Sequence, residues 1–393
     1  MKEINEKYGV WVSNNVKFDN SYEAYVHATK HSSTVNFYYH HDVFDSFDSS
    51  NLGHIDLDFL YRVRAEKLRE KYDYLILYYS GGADSHNILR TFIDNNIKLD
   101  EICIKWPKAL REGKFYNPNT DDTSARNFWS EWDFALKPSL DWISTHHPEI
   151  KITFKDFVGD PSKMDINKMF ADTAHHQFQT GIILNSLVSD SETALISAGK
   201  TVGNIYGLDK PKLATYDNKI FMFFSDNLMR ACVRSTINPY GAECFYWTPE
   251  MPEIAFEQAY RAAIHYNIHK QDRKFLLVPQ KYRKPGFHQT PLEDIASHQQ
   301  EIIKRYIYTT WDYRFQADKP ASASRLDKFF WFYESDELKR QKEIFNDNVT
   351  QRLKLIDPIF LSNKEVNSRN ETSYTIKTLT SPAYYITDLE DTK

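Results

Sequence analysis

Six consecutive residues concentrate the chemistry of this chain: Ser80, Gly81, Gly82, Ala83, Asp84 and Ser85. Glycines let a backbone turn sharply and approach a ligand closely. If a helix starts directly after such a turn, its unpaired N–H groups point at whatever lies above them, and its dipole favours negative charge there. Ser80 and Ser85 would add hydroxyl donors. Asp84 is the odd member, because a carboxylate repels phosphate unless a cation lies between them. Mg²⁺, held through one carboxylate, phosphate oxygens and waters, resolves that conflict. The stretch therefore predicts a Mg-nucleotide site, with Asp84 on the metal through the phosphates. The bland alternative, a Gly-Gly turn with no ligand, leaves the aspartate and both serines unexplained.

The flanking sequence supplies the elements that such a site needs. An apolar run, Tyr74 to Tyr79, stops at Ser80, and Ile88, Leu89, Phe92 and Ile93 then recur at the spacing of one helix face. Asn95 and Asn96 end that helix. Leu99 to Trp106 reads as a second strand, so a right-handed parallel crossover is expected, with ligands beyond the carboxyl ends of the strands. Ile55 to Tyr72 reads as an amphipathic helix capped by Asp56 or Asp58, which delivers the chain into the first strand.

The run Ser80-Gly81-Gly82-Ala83-Asp84-Ser85 resembles the SGGxDS loop of the N-type ATP pyrophosphatase (PP-loop) superfamily, and within it the synthetase domain of asparagine synthetase. The resemblance implies an α/β fold, a parallel sheet with helices on both faces (adenine nucleotide alpha hydrolase-like, HUP-type). It implies an AMP-forming ligase that uses ATP and Mg²⁺, with Ser80, Gly81, Gly82, Asp84 and Ser85 binding the nucleotide. It also implies that the end of the second strand, Cys103 to Lys105, meets the adenine, with Ile104 favoured. Asparagine synthetase carries a glutaminase domain whose nucleophile is a cysteine directly after the initiator Met. Here Lys2 stands in that position and no cysteine precedes Cys103, so that domain is expected to be absent and the nitrogen source is left open.

Ala194 to Ala198 reads as a further strand, followed by Gly199-Lys200-Thr201. The glycine needed for a Walker A loop would fall at Ala194, inside an apolar run, so that motif is rejected. A lysine at such a strand end would nevertheless face the same crevice. Lys200 and Lys210 are the expected phosphate ligands, with Lys212 in reserve; the alternative is solvated surface lysines. The glycine-rich run that accompanies such lysines in asparagine synthetase is missing.

The 393 residues carry 41% hydrophobic and 26% charged residues and a net charge of −5, which suits a globular chain rather than a disordered or nucleic-acid-coating one. Three scattered cysteines, Cys103, Cys232 and Cys244, form no CxxC, and no apolar segment is long enough to span a membrane. A cytoplasmic protein is expected. His265 and His269 lie i,i+4 on an expected helix, but Tyr266 stands where a zincin has its glutamate. Three regions are expected: a strand-rich lead-in over 1–54 with a hairpin at Asn14-Asn15, the nucleotide domain over 55–269, and a mainly helical C-terminal extension over 270–393. Lys270, Arg273, Lys274, Lys281, Arg283 and Lys284 with interleaved aromatics keep a second reading open, a PP-loop enzyme acting on a nucleotide or nucleic acid in the manner of tRNA-modifying enzymes or PAPS reductases. A small-molecule acceptor is the first expectation.

Overall fold

The protein was analysed as a computed structural model, which describes residues 4–19, 21–106, 132–155, 189–207, 210–226, 241–277, 304–308, 351–366, 371–377 and 379–389.

The lead-in folds as expected around Asn14-Asn15. Strands β1 (Val10–Ser13) and β2 (Val16–Phe18) pair antiparallel, and both asparagines have positive φ, 48° and 63°. A two-residue turn with both residues left-handed matches the twist of a hairpin, and asparagine tolerates that conformation well. Helix α1 (Ser21–His31) follows. Strand β3 (Asn36–Tyr38) then pairs with the other edge of β1, and α2 (His41–Asp45) closes the segment.

Helix α3 (Leu57–Lys71) starts at Asp56, whose carboxylate accepts from the Asp58 N–H. It feeds strand β4 (Tyr74–Tyr78), the middle strand of a five-stranded parallel sheet. From β4 the chain runs through α4 (Ala83–Asp94) to β5 (Glu101–Lys105). It continues through a π-helical turn at Trp132–Leu136 and α5 (Lys137–His146) to β6 (Lys151–Lys155). Pro138 sits in the first turn of α5, where its missing N–H costs nothing. The chain then returns to the other side of β4.

That return departs from the sequence reading. Ala194 to Ala198 is not a strand: it belongs to helix α6 (Asp190–Ser197) and its cap. Ser189 caps the helix by accepting from the Ser191 N–H, and Asp190 and Glu192 lie in the first turn, where acidic residues favour a helix start. The strand beside β4 is β7 (Val202–Tyr206), with Tyr74 opposite Val202 and Tyr78 opposite Tyr206.

Strands β8 (Lys212–Tyr216) and β9 (Lys219–Phe223) form a second hairpin, around Asp217 and Asn218 at positive φ. Strand β10 (Ala242–Cys244) adds to β7, giving the sheet order β10-β7-β4-β5-β6. Helix α7 (Pro252–Ile268) has Met251 at its cap and Pro252 in its first turn, and the Thr248 hydroxyl braces the preceding turn by accepting from the Glu250 N–H. Among the described residues beyond 350, β11 (Leu361–Val366), β12 (Glu371–Ile376) and β13 (Tyr384–Asp388) are strands, so the C-terminal part is not purely helical. β13 joins β9 and β8 in a three-stranded sheet.

Helices cover both faces of the parallel sheet. Leu75, Leu77, Ile102, Ile104 and Ile205 join a core cluster with Ile88, Leu89 and Phe92 of α4. Ile76, Tyr78, Cys103 and Val202 face the other way, toward Leu195 and Ile196 of α6. The three α4 side chains are fully buried, each contributing about 1.5–3 kcal/mol. The first cluster also reaches Trp11 and Phe44, so the lead-in shares one core with the parallel sheet.

Candidate functional site: the Ser80–Ser85 turn

The strand order places the turn. Leaving β4, the chain builds one half of the sheet on one side (β5, β6) and returns to build the other half (β7, β10). Between β4 and β7 the connections diverge, and in open α/β sheets the ligand crevice lies outside the carboxyl ends of the strands at such a switch point. Ser80–Ser85 leaves the carboxyl end of β4 at that point.

The turn is shaped by its own side chains. Gly81 has φ +69°, and a Cβ on it would stand 3.2 Å from the Leu136 side chain. Gly82 is the helix cap with extended backbone and offers no side-chain acceptor, so α4 starts without a side-chain cap. The Ser85 hydroxyl is buried, donating to the Gly82 carbonyl at 3.2 Å and accepting from the Ser80 N–H at 3.2 Å. The Ser80 hydroxyl accepts from the Gly82 N–H at 3.3 Å and stays at the exposed end of the strand. Ser85 thus braces the turn from inside, while Ser80 is the serine that faces solvent.

Asp84 is the meeting point of four stretches of chain. Lys210, with a side chain only 5% exposed, places Nζ 2.5 Å from Asp84 Oδ1. The Tyr308 hydroxyl donates to the same oxygen, and the Tyr246 hydroxyl donates to the Asp84 carbonyl at 2.7 Å. Asn87, one turn into α4, donates to the Tyr246 hydroxyl. Burial first, and the Asp84 charge second among the causes for Tyr308, push its phenol well above the ordinary tyrosine value; burial does the same to Tyr246. Both phenols are therefore protonated donors at any working pH. Tyr61 donates to the Ile307 carbonyl and pins the Tyr308 segment in place.

Gly207, just past β7, approaches the start of α4 from the neighbouring strand. A Cβ there would stand 2.9 Å from the Ser85 nitrogen and 3.0 Å from the Asp84 carbonyl carbon. Only glycine lets β7 end so close to the helix N-terminus.

The remaining expected site residues fall elsewhere. Lys200 precedes β7, so it sits at the amino edge of the sheet; the Thr201 N–H beside it donates to Asp73, which precedes β4. A strand of five residues separates it from the turn, about 16 Å at ~3.3 Å per residue. The structure does not bring Lys200 to the loop, because the strand assumed before it is a helix. Ile104 is 1% exposed within the core cluster. Lys212 opens β8 opposite Phe223. Tyr246 and Tyr308, which the sequence reading did not single out, join the site through contacts far apart along the chain.

One carboxylate, 26% exposed, above an uncapped helix N-terminus fits a magnesium ion carried in on phosphates. It is not a metal cage: among the described residues no group of three or more His, Cys, Asp or Glu could hold an ion. The His265–His269 pair is engaged otherwise. His265 Nε2 lies 2.9 Å from Asp272 and Nδ1 3.2 Å from the Tyr306 hydroxyl. Burial raises the Cys103 thiol to about 11, so it is protonated at neutral pH, unlike the thiolate a sulfur-transfer reaction needs. In the basic segment, Arg273 folds back to donate to the Tyr266 carbonyl; Lys281, Arg283 and Lys284 lie outside the described residues, as do the expected loop 107–125 and Cys232. Among the described residues no helix is long and apolar enough to cross a membrane.

No family model matches this sequence, and no curated protein and no solved structure matches it.

Proposed function

We propose that the chain is an ATP-dependent adenylating ligase of the PP-loop type, built on a HUP-type version of the doubly wound sheet. The observation that carries this reading is the position of the SGGADS turn. It leaves the middle strand of the parallel sheet at the switch point, with Lys210 held against Asp84. The triphosphate would lie on the turn, against the N–H groups at the start of α4. Magnesium, bound through Asp84 and the phosphates, would neutralise phosphate charge. A carboxylate or carbonyl oxygen of the acceptor attacks the α-phosphorus, and the α–β bridging oxygen leaves with pyrophosphate. A nitrogen nucleophile then attacks the activated carbon and AMP leaves, giving an amide or amidine.

The chain's own part is positioning and charge stabilisation. Lys210 offsets negative charge on the leaving pyrophosphate. Tyr308 and Tyr246 fix the Asp84 side chain and backbone, so that the carboxylate does not have to reorganise as charge moves. Pyrophosphate release, screened against pools of amino acids, nucleotides and tRNA with ammonia supplied, tests the proposal. One pool should yield AMP and pyrophosphate in equal amounts, with the signal lost in Asp84→Ala. ATP bound without AMP formation from any pool would leave a nucleotide-binding protein instead.

A further inference from the structure

At the far end of the sheet, away from the Ser80–Ser85 turn, a cleft of about 580 Å³ opens beside the amino ends of β7 and β10. Its size falls in the ~300–1,000 Å³ range of small-molecule sites. Lys200, which the fold removes from the turn, stands exposed at its edge. The α3–β4 junction contributes Lys71 and Tyr72, the lead-in contributes Lys7, and the stretch after β10 contributes Pro249 and Glu250.

The charges here are not a simple set of ion pairs. Glu243, with a side chain 4% exposed, takes Arg64 at 2.8 Å, Lys7 at 3.0 Å and Lys71 at 3.1 Å, and accepts a hydrogen bond from the Tyr72 hydroxyl. Glu250 takes the other arm of the same fully buried Arg64 at 2.7 Å and Lys71 at 2.9 Å. Arg64, Lys7 and Lys71 thus meet two carboxylates that are already neutralised, and Lys200 at the rim adds a fourth cation, whose charge also acts on the exposed Asp73. A structural ion pair needs one cation for each carboxylate. The surplus positive charge faces an open cleft, where burial does not require it and self-repulsion opposes it. Between the charged groups the walls are half-buried Tyr72, Ile196 and Pro249, which offer carbon surface.

We infer that this cleft is a second binding site, for a small organic anion: a carboxylate or sulfonate carried on an apolar body, its charge held by Lys71 and Lys200 and its body laid against Tyr72, Ile196 and Pro249. A metal cation does not fit, since no carboxylate is left to hold it. The site is independent of the nucleotide reading, because it lies at the other edge of the sheet and shares no residue with the turn.

The test is calorimetric titration of the full chain with 2-naphthoate, an aromatic carboxylate, at low and high salt. Saturable binding that weakens with salt is expected, and it should persist with saturating Mg-ATP. Lys200→Glu reverses an exposed charge at the edge of the cleft and should weaken binding about fivefold or more, while Lys200→Arg retains it. Ile196→Trp, which fills the wall, should abolish it, with circular dichroism confirming that both variants are folded. Absence of saturable binding would overturn the inference. So would binding unchanged in both Lys200→Glu and Ile196→Trp, or binding displaced by Mg-ATP, which would place the probe at the turn.

Discussion

Lys210 Nζ lies 2.5 Å from Asp84 Oδ1, and the lysine side chain is nearly buried while the aspartate keeps a quarter of its side-chain surface exposed. The pair therefore has an inner and an outer side. The cation is fixed from within, and the carboxylate keeps part of its surface open to solvent.

Removing either member should be costly in different ways. Lys210→Ala leaves the Asp84 carboxylate with Tyr308 as its remaining partner among the described residues and should lower kcat/KM for pyrophosphate release about a hundredfold, as loss of a charge-stabilising group does. Asp84→Asn should lose as much, and the double variant little more, since the two act as one unit. Steady-state pyrophosphate kinetics on the four proteins checks this; fully additive losses would show that the residues act separately.

Tyr308→Phe removes one donor to Asp84 and little volume. Activity should fall about ten- to a hundredfold, in line with one lost hydrogen bond to a charged group at ~1.5–3 kcal/mol. The rate should show no new pH dependence between pH 6 and 9, because the wild-type phenol is held protonated. A pH–rate profile of both proteins measures it.

The turn and its strand were legible in the sequence because their signals are local. The two glycines, the run before them and the helix face after them lie within 22 residues, 74–95. The Asn14-Asn15 hairpin was legible for the same reason. Strand β7 was not. Its sequence, VGNIY, carries a glycine and an asparagine that argue against a strand, yet each has a distant cause. A Cβ on Gly203 would meet the Tyr72 ring at 2.5 Å, and Asn204 donates to the buried Glu192 at 2.6 Å. The apolar ALISA run, only five residues long, fits strand or helix equally by periodicity, and the Ser189 cap was the overlooked signal. Tyr308 and Tyr246 reach Asp84 across separations of 224 and 162 residues, for which a single sequence holds no cue.

Gly207→Ala should be severe for its size. The methyl would meet backbone atoms of Ser85 and Asp84 rather than a movable side chain, so either β7 or α4 must shift. A loss of about 2–3 kcal/mol in urea denaturation is expected, with nucleotide binding lost. Gly199→Ala provides the contrast. It has φ +76° and nothing within 4 Å of the added carbon, so only left-handed strain of ~1 kcal/mol remains.

Glu243 makes the fold acid-sensitive. Burial alone would raise its pKa, but Arg64, Lys7, the Tyr72 hydroxyl and Lys71 together outweigh that and hold it at about 2. A carboxylate depressed on folding contributes stability that is fully present above its unfolded value, near 4.5, and is lost as pH falls toward about 2. The contribution is about 3 kcal/mol at neutral pH. Glu243→Gln should lower stability at pH 7 and flatten its dependence between about pH 5 and pH 2; denaturant midpoints across that window read both effects.

The central claim is that a triphosphate rests on the Ser80–Ser85 turn. Calorimetric titration with magnesium and an ATP analogue whose α–β bridge is carbon, which binds without being cleaved, tests it most directly. One site per chain is predicted, with binding lost in Gly81→Val, where φ is +69° and Leu136 crowds the added side chain, and weakened at least tenfold in Lys210→Ala. Equal affinity for wild type and both variants, or no binding to the wild type, would contradict the account.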